Sequence, residues 1–257
     1  MIFDCYACRM NKGTHFAAQR VKKFLQAARA TVGKNSDAFV LQCDIKKFFP
    51  SVSWKVLLEI VKKTITDPKT LDLIQRIVTT HYAFCGKMVK LEPNAAIVSV
   101  SDARGLPIGN LTSQLFANVY LNELDHFVKE KLREKWYGRY MDDFFVISGD
   151  KDHLRLVREK IRCFLKEKLD LDLHPRKVNI QKVSQGVSFV GYRIFYDHML
   201  IRGSTLLRMQ KRLKRKISLC QRGKVEKERL QATVNSLKGH LQHANTWRLS
   251  KVLFKAI

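Results

Sequence analysis

The stretch GRYMDDFFVIS, residues 138 to 148, constrains the fold more than any other part of this sequence. Aromatic and aliphatic residues on both sides of Asp142 and Asp143 predict two short strands, with the two aspartates at the tight turn between them. Adjacent carboxylates repel each other, and strands that bury them also remove their hydration. We therefore expect a positive charge at this turn.

A third aspartate, Asp44, has a similar setting. The segment AFVLQCDIKKFF, residues 38 to 49, predicts a buried strand that ends at Asp44 and is followed by a turn. If a sheet brings Asp44, Asp142 and Asp143 together, their oxygens suit hard divalent cations such as Mg²⁺. Two such ions about 3.5–4 Å apart can hold the attacking and leaving oxygens of an in-line phosphoryl displacement. A plainer interpretation, in which Asp142 and Asp143 are only turn formers, does not explain Asp44.

The net charge of the chain predicts a polyanionic partner. The 48 Lys and Arg residues against 23 Asp and Glu give +25, so nucleic acid is the leading candidate and an anionic membrane surface the second. Residues 202 to 257 alone hold 15 Lys and Arg but only two acids. Apolar residues recur there at helical spacing, so one face can pack while the other follows phosphates without reading bases.

Composition also narrows the class of protein. No run of 18 apolar residues appears, and the N-terminal residues lack the layout of a secretion signal. The six cysteines are scattered, unlike a disulfide framework. These features predict a cytoplasmic protein with reduced thiols and no membrane partner. Cys5 and Cys8, with His15 nearby, leave a zinc site as an alternative, although no suitably spaced fourth ligand follows.

Periodicity outlines the remaining elements. It predicts helices at 14 to 30, 53 to 65, 69 to 83, 112 to 134 and 151 to 168, a hairpin at 186 to 201, and basic helices from 204 to 257.

Five segments carry a resemblance to a known family. VLQCDIKKFFPSV, GLPIGNLTSQLFANVYLNELD, YMDDFFVIS, HPRKV and FVGYRIF fall in the order of the palm motifs of reverse transcriptases. The chain resembles that family from about residue 1 to 200. The resemblance implies an α+β fold of the right-hand polymerase type. Partial fingers would span 1 to 37, a palm with an antiparallel sheet 38 to 200, and a basic helical thumb 201 to 257.

The resemblance also implies roles for the acidic residues. Asp44, Asp142 and Asp143 resemble the catalytic aspartates, which would hold two Mg²⁺ ions, with Mn²⁺ as a substitute. Ile45 would offer mainly its backbone oxygen to a metal.

The remaining motif residues resemble those that handle nucleotide and primer. Phe49 resembles the aromatic gate against a ribose 2′-hydroxyl, and one of Phe48 and Phe49 is expected to pack in the core. Arg9 and Lys12 resemble the basic fingers residues that face triphosphate and template, and Lys177 resembles the lysine that can protonate leaving pyrophosphate. The primer grip would consist of Phe189, Val190, Gly191 and Tyr192.

The nucleotide-pocket motif departs from most of the family. Ile108 stands before Gly109 where most members have glutamine, and Gln114 stands where they have proline. This variant resembles the reverse transcriptases of diversity-generating retroelements, which make errors concentrated at adenines. A branched apolar side chain at 108 cannot hydrogen-bond the nucleotide, so selection would depend more on shape.

The expected function is therefore an error-prone RNA-directed DNA polymerase of a bacterial or phage-encoded retroelement. Its expected partners are an RNA template, a DNA or RNA primer, dNTPs and a small basic oligomeric accessory protein. Two alternatives stay open: a group II intron or retron type of reverse transcriptase, and an inactive RNA-binding palm module. The second alternative arises because the resemblance begins inside the fingers lobe.

Overall fold

The computed structural model describes residues 1–33, 37–79, 81–84, 87–90 and 103–254. The helices are α1 (Thr14–Val32), α2 (Phe48–Ser51), α3 (Trp54–Lys62), α4 (Pro68–Thr79), α5 (Leu111–His126), α6 (Lys151–Leu169), α7 (Gly203–Gln221), α8 (Lys227–Leu241) and α9 (Trp247–Leu253). The strands are β1 (Phe39–Asp44), β2 (His81–Phe84), β3 (Lys87–Lys90), β4 (Trp136–Tyr140), β5 (Asp143–Ser148), β6 (Asn179–Lys182), β7 (Val187–Phe189), β8 (Tyr192–Ile194) and β9 (Met199–Ile201).

The chain divides into two compact units. The first contains residues Met1–Gly13 and Ala38–Gln181, and the second contains Thr14–Asp37 and Lys182–Ile257. The first unit is built on a sheet with the order β4, β5, β1, β6, in which β5 is antiparallel to both β4 and β1. The antiparallel pairing of β4, β5 and β1 agrees with the antiparallel sheet that the resemblance implies.

The sheet of the first unit is buried on both faces. Alternate side chains of β1, among them Leu41 and Cys43, join a core with α3, α5 and α6. The opposite face is close-packed at Gly138, where an added Cβ would lie 2.8 Å from the Tyr6 hydroxyl and 2.9 Å from the Phe145 ring. The two-residue period of a strand therefore puts Asp44 on the face opposite that core.

Three predicted helices of the first unit end earlier than expected, and the one predicted at 53 to 65 ends at Lys62. The helix predicted at 69 to 83 ends at Thr79, and residues 81–84 form β2 instead. The helix predicted at 112 to 134 ends at His126 and continues as a π-helical turn at Phe127–Lys131. There the Phe127 ring stacks on Phe164 of α6, with centroids 4.2 Å apart. The π-helical turn therefore lies where the chain packs on α6, whereas periodicity alone predicts a continuous helix there.

The second unit combines α1 with a small sheet and three basic helices. The predicted hairpin at 186 to 201 is in fact a three-stranded antiparallel meander of β7, β8 and β9. A second turn explains the difference, since Phe195 donates its backbone N–H to the carbonyl of His198. Helices α7 and α8 share an apolar core formed by Met209, Leu213, Val234, Leu237 and Leu241.

The helices and antiparallel sheets together make an α+β protein, as predicted. Within the described part of the chain, every helix is too short or too polar to span a bilayer.

Candidate active site

Strand pairing brings two of the three predicted aspartates face to face. Asp44 is the last residue of β1, Asp143 is the first residue of β5, and the two are register partners in the antiparallel ladder. Directly opposite residues in such a ladder have Cβ atoms about 4.5–5.5 Å apart on the same face. Like charges in this arrangement are destabilising, so we expect a cation nearby that offsets the repulsion.

The third aspartate lies in the turn between β4 and β5. Tyr140 and Asp143 are paired, which leaves Met141 and Asp142 as a two-residue hairpin loop. Met141 has φ 56°, a left-handed conformation that non-glycine residues adopt at a cost of about 1–3 kcal/mol. Such strain persists only where the surroundings hold it, and it clusters at functional sites.

Lys177 supplies the positive charge expected beside these carboxylates. Its Nζ lies 2.9 Å from Oδ2 of Asp44, in a contact where the lysine side chain is 58% exposed and the aspartate 21%. The hydrogen bond to Asp44 raises the pKa of Lys177, and the negative charges of Asp44, Asp142 and Asp143 act in the same direction. All three aspartates therefore lie within electrostatic reach of one ammonium group.

Asp142 is more strongly desolvated than its position in a turn suggests. Burial raises the pKa of its carboxyl above the ordinary value, and the negative charge of Asp44 adds to this rise, while a backbone hydrogen bond, Lys177 and Arg139 oppose it. A carboxylate whose charged form is disfavoured in this way gains most from a bound cation.

The three carboxylates have the chemistry that a hard divalent cation requires, but their side chains are not now arranged as a metal site. The three carboxylates offer the oxygen ligands that Mg²⁺ prefers. Among the residues that the structure describes, however, no three His, Cys, Asp or Glu side chains converge tightly enough to hold a metal ion. The same result gives no support to a zinc site at Cys5, Cys8 and His15. Binding of a cation would require Asp44 to exchange the Lys177 ammonium for the metal.

The residues of the predicted nucleotide pocket differ in exposure. Phe48 is 2% exposed in the core, whereas Phe49 is half-buried with its ring centroid 5.5 Å from that of Phe48. Ile45 is also buried, at 1% exposure. Ile108 is 75% exposed, and Gly109 follows it with φ 104° in the loop before α5.

The predicted fingers residues contact the N-terminal segment. A guanidinium nitrogen of Arg9 donates to the carbonyls of Ile2 and Cys5, at 2.5 and 3.0 Å. Lys12 donates to the carbonyl of Phe3 at 2.5 Å.

Gln114 and the predicted primer grip have identifiable surroundings. Gln114, on α5, accepts a hydrogen bond from the Cys8 thiol at 2.8 Å. The predicted primer grip lies in the second unit, where Val190 (φ 44°) and Gly191 (φ 91°) form the two-residue loop between β7 and β8. Phe189 and Tyr192 flank that loop as a buried cross-strand pair.

Sequence reasoning missed a buried ion pair behind the aspartate turn. Arg139 of β4 and Asp125 of α5 are both fully buried and bonded to each other. The available signal was an arginine inside an otherwise apolar strand and an aspartate directly after Leu124 on the apolar face of a helix. Lys, Arg, Asp and Glu are almost never fully buried unless they are paired.

Solved structures with a similar fold include two telomerases. Telomerase from Candida albicans, solved with a fragment of telomeric RNA, matches with a TM-score of 0.56 and 12% identity over 82% of this chain and 38% of its own. Apo telomerase from Candida tropicalis matches with a TM-score of 0.52 and 15% identity, over 82% of this chain and 40% of its own. At these identities the likeness concerns the fold alone, and it confirms the predicted fold class.

Three of the relatives in sequence come from bacteria. The group II intron-encoded protein LtrA of Lactococcus lactis is 22% identical over 89% of this chain and 42% of its own length. The retron Ec73 reverse transcriptase of Escherichia coli is 26% identical over 82% and 63%. Protein YkfC of Escherichia coli K12 is 26% identical over 74% and 54%. The chain thus spans about half the length of these relatives. The profile of the reverse transcriptase (RNA-dependent DNA polymerase) family matches residues 3–194, and the chain therefore belongs to that family.

Proposed function

We propose that this chain is an RNA-directed DNA polymerase that extends a primer by two-metal-ion nucleotidyl transfer. The observation that supports this most directly is the pairing of Asp44 with Asp143 across two strands, next to Asp142 in the turn. Clustered carboxylates repel a phosphate backbone, so a module that only binds RNA gains nothing from them.

Asp44, Asp142 and Asp143 would hold two Mg²⁺ ions, or Mn²⁺ as a substitute, with the backbone oxygen of Ile45 as a further ligand. Bound ions of this kind stabilise the charge that develops on the transferring phosphoryl group. We assign Lys177 as the proton donor to leaving pyrophosphate, because its ammonium group lies 2.9 Å from Oδ2 of Asp44 and an ordinary lysine is protonated at neutral pH.

Selection of the nucleotide would fall to residues after β1 and before α5. The half-buried Phe49 is our candidate for the ring that excludes a ribose 2′-hydroxyl, with Phe48 packed behind it. Ile108 and Gly109, with Gln114 one turn into α5, would form the base-side wall. Arg9 and Lys12 would face the triphosphate and template after exchanging their present carbonyl partners.

The nucleic acid would be an RNA template with a DNA or RNA primer. Helix α7 carries six Lys and Arg and no acid, which suits contact with a phosphate backbone. We assign this helix and the two that follow to the thumb, residues 38 to 200 to the palm, and residues 1 to 37 to the fingers. Phe189, Val190, Gly191 and Tyr192 would grip the primer.

The subtype has two candidates. Ile108 in place of glutamine favours an error-prone enzyme of a diversity-generating retroelement, working in the cytoplasm with a basic oligomeric accessory protein. The relatedness to LtrA and to the Ec73 enzyme favours a group II intron or retron type. Errors concentrated opposite template adenines would identify the first, and evenly spread errors the second.

Primer extension on an RNA template, with and without Mg²⁺, tests the proposed activity. We expect Mg²⁺-dependent extension by the unmodified chain and loss of extension in Asp142→Asn. Tight, salt-sensitive RNA binding by the unmodified chain with no extension under any condition would contradict the proposal and leave only the RNA-binding module.

A further inference from the structure

The buried ion pair behind the aspartate turn is made in the strongest geometry available to arginine. Nε of Arg139 donates to Oδ1 of Asp125 at 2.7 Å, and Nη2 donates to Oδ2 at 2.6 Å. Tyr137 donates its hydroxyl to the same Oδ1 at 2.7 Å. This two-point contact fixes the plane of the guanidinium group as well as its position.

The remaining guanidinium nitrogen reaches the aspartate turn. Nη1 of Arg139 donates to the carbonyl of Met141 at 3.0 Å and to Oδ1 of Asn118 at 3.2 Å. Asn118 is anchored in turn, because its amide donates to the carbonyl of Ala7 at 2.9 Å. The turn is therefore tied through one side chain to α5 and to the N-terminal segment.

The bonded carbonyl belongs to the residue with the strained backbone. The carbonyl of Met141 and the N–H of Asp142 lie in one rigid peptide plane. Fixing the carbonyl therefore fixes the plane from which the Asp142 backbone continues. A left-handed methionine needs an interaction of this kind to persist.

Stability alone does not account for the pair. Replacing a buried ion pair with apolar residues of similar volume is often neutral or even stabilising, because removal of both charges from water offsets their attraction. What apolar residues cannot supply is a donor aimed at the Met141 carbonyl.

We propose that Arg139 is a positioning residue for Asp142, oriented by Asp125 and acting through its hydrogen bond to the carbonyl of Met141. The inference builds on the proposed polymerase function, in which Asp142 holds a metal ion. Its structural claim, that Arg139 holds the turn in one conformation, can be measured without any metal or activity.

The test compares two double variants that differ in one donor group. Arg139→Met with Asp125→Asn removes both charges and the donor, while Arg139→Gln with Asp125→Asn removes both charges but keeps an amide donor. In both variants residue 125 keeps an oxygen for the Tyr137 hydroxyl. Amide hydrogen exchange at Asp142 and Asp143 reports the order of the turn, and thermal unfolding reports global stability.

We expect the two double variants to unfold at similar temperatures, with turn amides that exchange about 10-fold faster in the methionine variant. In primer extension, kcat should be about 10-fold lower in the methionine variant with KM for dNTP unchanged. A control pair, Arg104→Met with Asp170→Asn, removes another arginine–aspartate ion pair of the same unit and should leave exchange at the turn unchanged.

The possible outcomes separate the positioning role of Arg139 from the proposed polymerase function. Equal exchange at the turn in both double variants and in the unmodified protein would overturn the positioning role, whatever the activity. If the turn amides exchange faster in the methionine variant but the unmodified protein does not extend a primer, the positioning role is supported and the polymerase function is refuted. If the double variants do not fold, Arg139→Lys takes their place. This variant keeps the charge but cannot bond both Asp125 and Met141 with a planar fork. Unchanged amide exchange at Asp142 and Asp143 in this variant would also refute the positioning role.

Discussion

Replacing Asp142 with asparagine should stabilise the metal-free protein while abolishing its activity. In the folded state burial and the charge of Asp44 raise the pKa of Asp142, so its ionised form is disfavoured. Two like charges about 6 Å apart repel by about 0.7 to 2.8 kcal/mol for effective dielectric constants of about 80 to 20. Lys177 offsets part of this repulsion. We therefore expect Asp142→Asn to raise the free energy of unfolding by about 1 kcal/mol, or about 2–4 °C in Tm.

The dependence on pH has a definite sign. Because the pKa of Asp142 is raised on folding, the folded protein keeps this proton to a higher pH than the unfolded chain does. The loss of folding stability that ionised Asp142 causes is absent below the unfolded pKa of about 4 and is complete above the folded pKa. The gain in Tm should therefore develop as pH rises above about 4 and should be larger at pH 7.5 than at pH 4. About 1 M salt should reduce it by screening.

Thermal unfolding in EDTA and in Mg²⁺ provides the assay. A metal ion at about 100 times its Kd stabilises the folded wild type by about 2.7 kcal/mol. In Mg²⁺ the wild type should therefore unfold at a higher temperature than Asp142→Asn. Glu59→Gln, an equal charge change at an exposed position of α3, should shift neither curve. If Asp142→Asn unfolds below the wild type in EDTA at pH 7.5, the electrostatic argument for the site is wrong.

Three further predictions test other parts of the argument, two of them with a control variant. Gly138→Ala should lower the free energy of unfolding by about 1–3 kcal/mol, because a methyl group there would lie 2.8 and 2.9 Å from two aromatic side chains. Gly239→Ala, in α8 with nothing within 4 Å, should instead raise it by about 0.5–1 kcal/mol in denaturant unfolding; equal effects would contradict the packing argument. Phe49→Val should increase ribonucleotide incorporation relative to deoxynucleotide by about 10-fold or more, and an unchanged ratio in single-nucleotide extension would remove this ring from the role of gate. Ile108→Gln should lower misincorporation opposite adenine, as read by sequencing the products, whereas Leu111→Gln, at a neighbouring exposed position, should not; an unchanged error spectrum in the first would count against the proposed pocket.

Most helices and strands can be predicted from the sequence, because the patterns that specify them act over a few residues. Two apolar runs around Asp142 and Asp143 predict the hairpin correctly, since strand alternation and turn chemistry act over a few residues. Two boundaries differ from the prediction: the helix after His126 continues as a π-helical turn that packs on α6, and residues 81–84 pair with β3. The sequence predicts a single hairpin where the structure has a meander at 187 to 201, because the second turn, at Phe195, carries no glycine or proline signal.

The sequence by itself determined which chemical groups the site can contain: three aspartates at strand ends and turns, and an excess of cations for a polyanion. Only the tertiary structure decided that Asp44 and Asp143 are register partners and that Lys177 bonds Asp44. It likewise decided that Arg139 and Asp125 form a buried pair behind the turn. The physical reason is that strand register depends on contacts between distant segments, and a slip of one residue would move every side chain to the other face. No local period encodes which distant strand supplies the partner.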